Sequence, residues 1–244
     1  TIAEKDRRRG GYIARTAADS IDRTKLADDA KFLGEMWDSI EEKAATCDTP
    51  ELVYEDLPLV ARTLRELVGT EIERVRIDSR ESCHRVVYFA SRFAPHLCGR
   101  IEHYPGERPI FDLYGVEDEL TKALERKAQL KSGGYLIVEQ TEAMTTIDVN
   151  TGAYVGYRNL EETVFKTNLE AAHTIARQLR LRNLGGIIII DFIDMSSEDH
   201  KRQVLRALEK SLERDRMKTQ ISEVSSLGLV QMTRKRTRES LEHI

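Results

Sequence analysis

The sequence has only three cysteines, Cys47, Cys83 and Cys98, and no C-x-x-C spacing among them. So sparse and odd a set excludes a disulfide framework and a thiolate zinc site, and it fits reduced thiols in a cytosolic protein. Long apolar runs are missing too. The longest sits at Ile187–Ile190, far short of the roughly 20 residues a helix needs to span a bilayer. No charged-then-apolar leader opens the chain, so a cytoplasmic location is expected. There are no internal repeats and no low-complexity tracts. The first residue is Thr1, not methionine, and Ile244 closes the chain just after a basic stretch, so a piece of a longer protein is expected.

A dominant charge is also lacking. The net charge is −4 over 244 residues, which does not announce a nucleic-acid partner. The average hides clusters, however: Arg7–Arg9, Arg177 to Arg182 and Arg234 to Arg238 are basic, and Glu117–Glu119 and Glu161–Glu162 are acidic. Binding nucleic acid needs a basic groove, not a basic protein, so the total decides nothing. With 40% hydrophobic and 33% charged residues, the composition is that of a globular chain large enough for one sizeable core or two to three small ones.

Periodicity gives the elements. Alternation around Arg8 to Ala18 predicts a strand, and helical spacing of Leu26, Phe32, Leu33, Met36, Trp37 and Ile40 predicts a helix over 24–45. A turn at Asp48–Pro50 precedes a second helix at Leu59 to Leu67. Ile72 to Ile77 alternates as a strand, and Asp78–Ser79 should cap a helix over Arg80 to Phe93. After a turn at Tyr104–Pro105–Gly106, a helix is predicted over Val116 to Gln129. Beyond Lys131–Gly134 the pattern becomes a hairpin (Tyr135 to Glu139, Ala143 to Val149) and then a long helix over Leu160 to Arg182. That helix should present Leu169, Ala172, Ile175, Ala176 and Leu179 on one face and end at Asn183–Gly186 with glycine in the terminating position. Ile187 to Ile190 predicts a strand buried on both faces. A helix from Ser197 to Asp215 and strands at Thr219 to Ser222 and Gly228 to Thr233 follow. The fold class expected is α/β, or mixed α+β, around a central buried strand.

Two acidic residues stand at predicted strand ends. Asp148 lies in Thr146–Ile147–Asp148–Val149–Asn150, and Asp191 terminates Gly185 to Ile190. Strand ends are where α/β sheets place ligand sites. A carboxylate after four aliphatic residues is costly to desolvate unless a positive partner lies against it. A hard cation such as Mg²⁺, held by one or two carboxylates and its own waters, is one such partner; turn capping or pairing with arginine is the other reading. Asp194 is open between capping the next helix and supporting this site.

The runs GGYLIVEQTEAMTTIDVNTG, NLEETVFKTNLEAAHTIARQLRLRNLGGIIIIDFIDM and GLVQMTRKRTRESLEHI together resemble the RNase E/G family, and the likeness extends over essentially the whole chain. It implies a Mg²⁺-dependent endoribonuclease specific for single-stranded RNA, preferring a 5′-monophosphate and acting in rRNA and tRNA processing and mRNA decay. It further implies a 5′-end sensor region over 1–60, an RNase H-like subdomain over 61–124 and a DNase I-like catalytic subdomain over 125–244.

By the same resemblance, Asp148 and Asp191 are the catalytic, metal-holding aspartates and Asn150 the asparagine that supports them. Gly11, Arg15 and Thr16 match the pocket that grips the 5′-phosphate, a task suited to a guanidinium fork and a hydroxyl. Lys218 stands where some relatives carry arginine; it keeps the charge and loses the fork. Arg177, Arg180 and Arg182, expected beside the metal strand, are candidates for RNA contact, with a solvated helix face as the plain alternative. The run Thr233 to Arg238 is open between RNA contact and a solvated tail. Full-length members add an OB-fold before the sensor and a zinc linker with an oligomerisation domain after the nuclease region. None of these is in this sequence, so weak RNA binding and poor cleavage are expected of the chain alone, and homo-oligomers of the full-length protein. A non-catalytic RNA-binding scaffold and a metal-dependent phosphoesterase with another substrate are the competing readings; Asp148, Asp191 and Asn150 speak against the first, Arg15 and Thr16 against the second.

Overall fold

The computed structural model describes residues 12–14, 22–47, 50–67, 72–152, 160–215, 217–225, 228–236 and 238–243. Two packing units divide the chain, Thr1–Ile110 and Phe111–Ile244.

In the first unit, helices α1 (Arg23–Thr46) and α2 (Leu59–Leu67) precede a short strand β1 (Val75–Ile77). Ser79 then starts α3 (Arg80–Phe93): its hydroxyl accepts the Ser82 N–H at 3.2 Å, satisfying one of the orphan donors of the first turn. A 3₁₀ turn over Pro95–Arg100 returns the chain to β2 (Ile101–His103), which pairs parallel with β1. Leu64, Val86 and Leu97 form the buried centre, and Phe32 of α1 meets Phe89 and Phe93 of α3 edge-on. The strand predicted near Arg8 to Ala18 lies outside the described residues except at 12–14, which have no regular structure.

The second unit holds the larger core. Helix α4 (Val116–Leu124) stops at Glu125, whose backbone turns extended. The helix predicted to continue to Gln129 instead becomes strand β3 (Lys127–Gln129), antiparallel to β4 (Tyr135–Gln140). The pairing buries Ala128 opposite Leu136, a gain of sheet and core that local helical spacing cannot register. β4 forms the expected hairpin with β5 (Met144–Asn150). Helix α5 (Leu160–Leu181) then crosses to β6 (Gly186–Asp191), which lies parallel to β5. Helix α6 (Glu198–Leu212), β7 (Thr219–Val224) and β8 (Val230–Arg234) complete a six-stranded mixed sheet in the order β3-β4-β5-β6-β8-β7.

One face of this sheet carries the core. Ile147 and Val149 of β5, Ile188 and Ile190 of β6 and Met232 of β8 pack with Ala171, Ala172, Ile175 and Leu179 of α5 and Val204 and Leu208 of α6. Each fully buried Val, Leu, Ile or Met side chain among them contributes about 1.5–3 kcal/mol. β6 is central but not buried on both faces as the apolar run predicted: Ile188 and Ile190 are fully buried, whereas Ile187 is 49% exposed. The helix stripe is the expected one at Ala172, Ile175, Ala176 and Leu179 but not at Leu169. Leu169 is only partly buried, and Asn168 occupies the fully buried position beside it. Asn183, not a glycine, takes the left-handed conformation that ends α5 (φ 50°), and Leu184 N–H closes the end onto Leu179 O at 3.0 Å.

Candidate active site

The parallel pairing of β5 and β6 ends on the rung Asp148↔Asp191. Side chains alternate along a strand, so with Ile147, Val149 and Ile190 in the core, both aspartates are directed to the opposite, exposed face. Adjacent strands lie about 4.8 Å apart, which puts the two carboxylates within reach of one small ion. Asn150, two residues along the same face of β5, donates from Nδ2 to Asp148 Oδ2 at 2.8 Å. That bond orients the Asp148 carboxylate and leaves its other lone pairs open. Close behind the strand, Gly134 packs so tightly on the Asn150 carbonyl that a Cβ would come within 2.7 Å of the oxygen.

Burial, then Asp148, then Asp194 raise the pKa of Asp191 above the ordinary aspartate value. Asp148 and Asp194 therefore both oppose the charge of Asp191 at one end of the sheet. Among the described residues, neither Asp148 nor Asp191 enters an ion pair with lysine, arginine or histidine, and no group of three or more His, Cys, Asp and Glu forms a metal cage. An oxygen-only pair on an exposed face is a donor set for a hard divalent cation that keeps much of its hydration. Asp194 does not cap α6. Ser197 does, its hydroxyl accepting His200 N–H at 3.4 Å.

The segment joining β6 to α6 is held by α5. Glu161 accepts the backbone N–H groups of Ser196 (3.1 Å) and Ser197 (3.3 Å) and meets His200 Nδ1 at 3.1 Å. Those bonds, the Ser196 N–H first, hold its pKa down to about 2. His200 in turn stacks on Phe165, with ring centroids 4.1 Å apart. Seven residues along the helix from Glu161, the Asn168 amide donates to Ile193 O at 2.7 Å and accepts Ile193 N–H at 3.1 Å. Sequence reasoning missed Asn168, although a polar residue on an otherwise apolar helix stripe is itself a signal, because such a group must find a partner.

The basic residues fall elsewhere. Arg177 and Arg182 follow Asn168 by nine and fourteen positions, about 13 and 21 Å along the helix. The arginines thus flank the start of β6, away from its carboxylate end. Nor do they form one basic row. Arg177 pairs with Glu119 at 2.5 Å, and Arg180 donates to Ser211 O at 3.3 Å. Arg182 is 6% exposed: its Nε donates to Gln178, and burial lowers its pKa. The Thr233 to Arg238 run is not simply a solvated tail either. Arg234 is buried against Asp215, with Nε–Oδ2 2.8 Å, and also donates to Leu184 O at 2.8 Å, while Arg236 donates to Gly185 O at 2.8 Å. Gly11, Arg15 and Thr16 lie outside the described residues. Lys218 is exposed at the start of β7, its carbonyl accepting Lys235 N–H at 3.0 Å. Among the described residues no helix is long and apolar enough to cross a membrane.

The sequence model of the Ribonuclease E/G family matches residues 1–237. The chain is 54% identical over 243 residues to Ribonuclease G of Escherichia coli (strain K12), covering 100% of this chain and 50% of that protein. It is 52% identical over 235 residues to Ribonuclease G of Haemophilus influenzae, covering 96% of this chain and 48% of that protein. Ribonuclease E of Nostoc is 36% identical over 234 residues, covering 95% and 34%. The chain spans about half the length, or less, of these curated relatives. With a family match through nearly the whole sequence and identity above one half to Ribonuclease G, the chain belongs to the Ribonuclease E/G family.

Proposed function

We propose that this chain carries the catalytic centre of an endoribonuclease that hydrolyses phosphodiesters of single-stranded RNA with Mg²⁺, preferring substrates with a 5′-monophosphate. The rung that sets Asp148 beside Asp191 on the exposed face at one end of the sheet carries the reading. Asp148 and Asp191 would hold the Mg²⁺. A bound divalent cation supplies Lewis acidity toward a phosphoryl oxygen and eases deprotonation of water. Asn150 orients Asp148 through its 2.8 Å bond, and the repulsion of Asp191 by Asp148 and Asp194 favours a dication beside it. In-line attack of water on phosphorus would break the P–O bond to the upstream ribose and leave the 5′-phosphate on the downstream product.

The remaining parts of the proposal concern the whole protein. Gly11, Arg15 and Thr16, with Lys218, would form the 5′-phosphate pocket, and Arg177, Arg180 and Arg182 are weaker candidates for RNA contact than the sequence alone made them. The reading includes a sensor region over 1–60, an RNase H-like subdomain over 61–124 and a DNase I-like subdomain over 125–244. It also includes a role in rRNA and tRNA processing and mRNA decay, a cytoplasmic setting and homo-oligomerisation of the full-length enzyme.

The test uses the full-length protein and an A/U-rich RNA oligomer bearing a 5′-monophosphate or a 5′-hydroxyl, with Mg²⁺ or EDTA. Asp148→Asn is expected to abolish cutting of both substrates, and Arg15→Ala to erase mainly the preference between them. Cleavage that persists in EDTA or in Asp148→Asn would refute the metal mechanism.

A further inference from the structure

We propose that Asn168 is the positioning residue for Asp191, locking the chain where it leaves β6 so that the two aspartates face one cation; this rests on the reading of Asp148 and Asp191 as a Mg²⁺ pair. The sheet itself does not hold that exit. The last rung of β6 with β8 is Ile190↔Val230, and its last rung with β5 is Asp148↔Asp191. Ile193 lies two residues beyond the ladder with β5 and three beyond that with β8, yet both of its backbone polar groups are bonded, and by one side chain. A primary amide offers a donor and an acceptor together, whereas a carboxylate offers only acceptors and an aliphatic group neither.

Burial makes the clamp stiff. Asn168 is fully buried on α5 between Val164, Ala171 and Ala172, where no water competes for its amide. A buried polar group can satisfy itself within its own helix, as Thr167 does by donating to Thr163 O at 2.9 Å. Asn168 instead reaches across to the strand exit. Glu161, on the same side of α5, grips Ser196 and Ser197, so the stretch carrying Asp194 is fastened on both sides. The direction of Asp191 is thereby tied to the helix packed on the far face of the sheet. Ligand-orienting groups of this kind shift metal affinity without touching the substrate.

The experiment measures Mn²⁺ binding by EPR to the full-length protein without RNA, alongside the Mg²⁺ concentration that gives half-maximal cleavage. Asn168→Ala is expected to weaken Mn²⁺ binding by about tenfold and to raise the Mg²⁺ midpoint by a similar factor. KM for RNA should stay constant, and kcat should recover at saturating Mg²⁺. Asn168→Asp, which keeps the acceptor for Ile193 N–H, should fall between, and it carries the test if Asn168→Ala does not fold. Asp215→Asn, at the opposite end of β6, is the control for lost stability and should leave Mn²⁺ affinity unchanged. Wild-type Mn²⁺ affinity in both Asn168 variants, or a loss no larger than that of Asp215→Asn, would overturn the inference alone. Wild-type Mn²⁺ binding in Asp191→Asn would instead remove the metal pair itself.

Discussion

The two ends of β6 handle charge in opposite ways. At its start, Arg234 and Asp215 are 4% and 2% exposed and form a buried pair, and further donors of Arg234 and Arg236 cover the carbonyls of Leu184 and Gly185. Opposite charges meet there, and their hydrogen-bonding capacity goes into holding chain segments together. At its finish, Asp148, Asp191 and Asp194 gather charges of one sign, and the nearest polar support is an amide on Asp148. One strand thus carries a region arranged for stability and a region that gives stability up. Like charges kept together, with no ion pair to Asp148 or Asp191 among the described residues, mark the end at which a ligand is expected.

The strongest way to sharpen this contrast is to neutralise the carboxylate end. Asp191→Asn should reduce cleavage about a thousandfold, corresponding to roughly 4 kcal/mol of lost electrostatic stabilisation, read from single-turnover rates on an RNA oligomer. Next in size is the opposite end. Asp215→Asn leaves the Arg234 guanidinium buried without its counter-charge and should cost about 3 kcal/mol of stability in urea unfolding; metal affinity should not change. If Asp215→Asn altered metal binding as strongly as stability, the two ends would not be independent.

Smaller effects concern pH. Glu161 has its pKa depressed to about 2 in the folded chain, so its contribution is fully present above its ordinary value near 4.5 and is lost as pH falls toward 2. Glu161→Gln should flatten the acid limb of the stability curve between those values, followed by circular dichroism. The smallest effect has the opposite sign. Because the Asp191 pKa is raised, its charged form weakens the fold as pH climbs through that pKa. In metal-free protein at pH 7, Asp191→Asn should therefore raise Tm, by no more than about 2 °C, since water screens an exposed carboxylate. An unchanged or lower Tm would mean that the carboxylates are not in conflict.

What the sequence made legible was what neighbours along the chain decide. The hairpin at 135–150, the long helix, the Ser79 cap, and the aspartates within Met144–Asn150 and at the end of Gly186–Asp191 all follow from periodicity and from acids interrupting apolar runs. What stayed hidden depends on partners distant in the chain. Lys127–Gln129 reads as helix until β4 is beside it. Arg182 and Arg234 read as surface charge, whereas their environments are set by Gln178, Asp215 and the chain end. Asn168 looks like an ordinary helix residue until Ile193, twenty-five positions away, is brought against it.

The rung joining Asp148 to Asp191 belongs to a parallel pair, so no tight turn pins its alignment; the thirty-five residues from Thr151 to Gly185 intervene. Sliding β6 by one position against β5 would reverse which of its side chains face outward, sending Asp191 into the hydrocarbon interior and bringing Ile190 out. The centre is consequently assembled all at once or not at all. Deletion or insertion of one residue between Asn183 and Gly186 should be far less tolerated than changes of length in any surface turn of this unit.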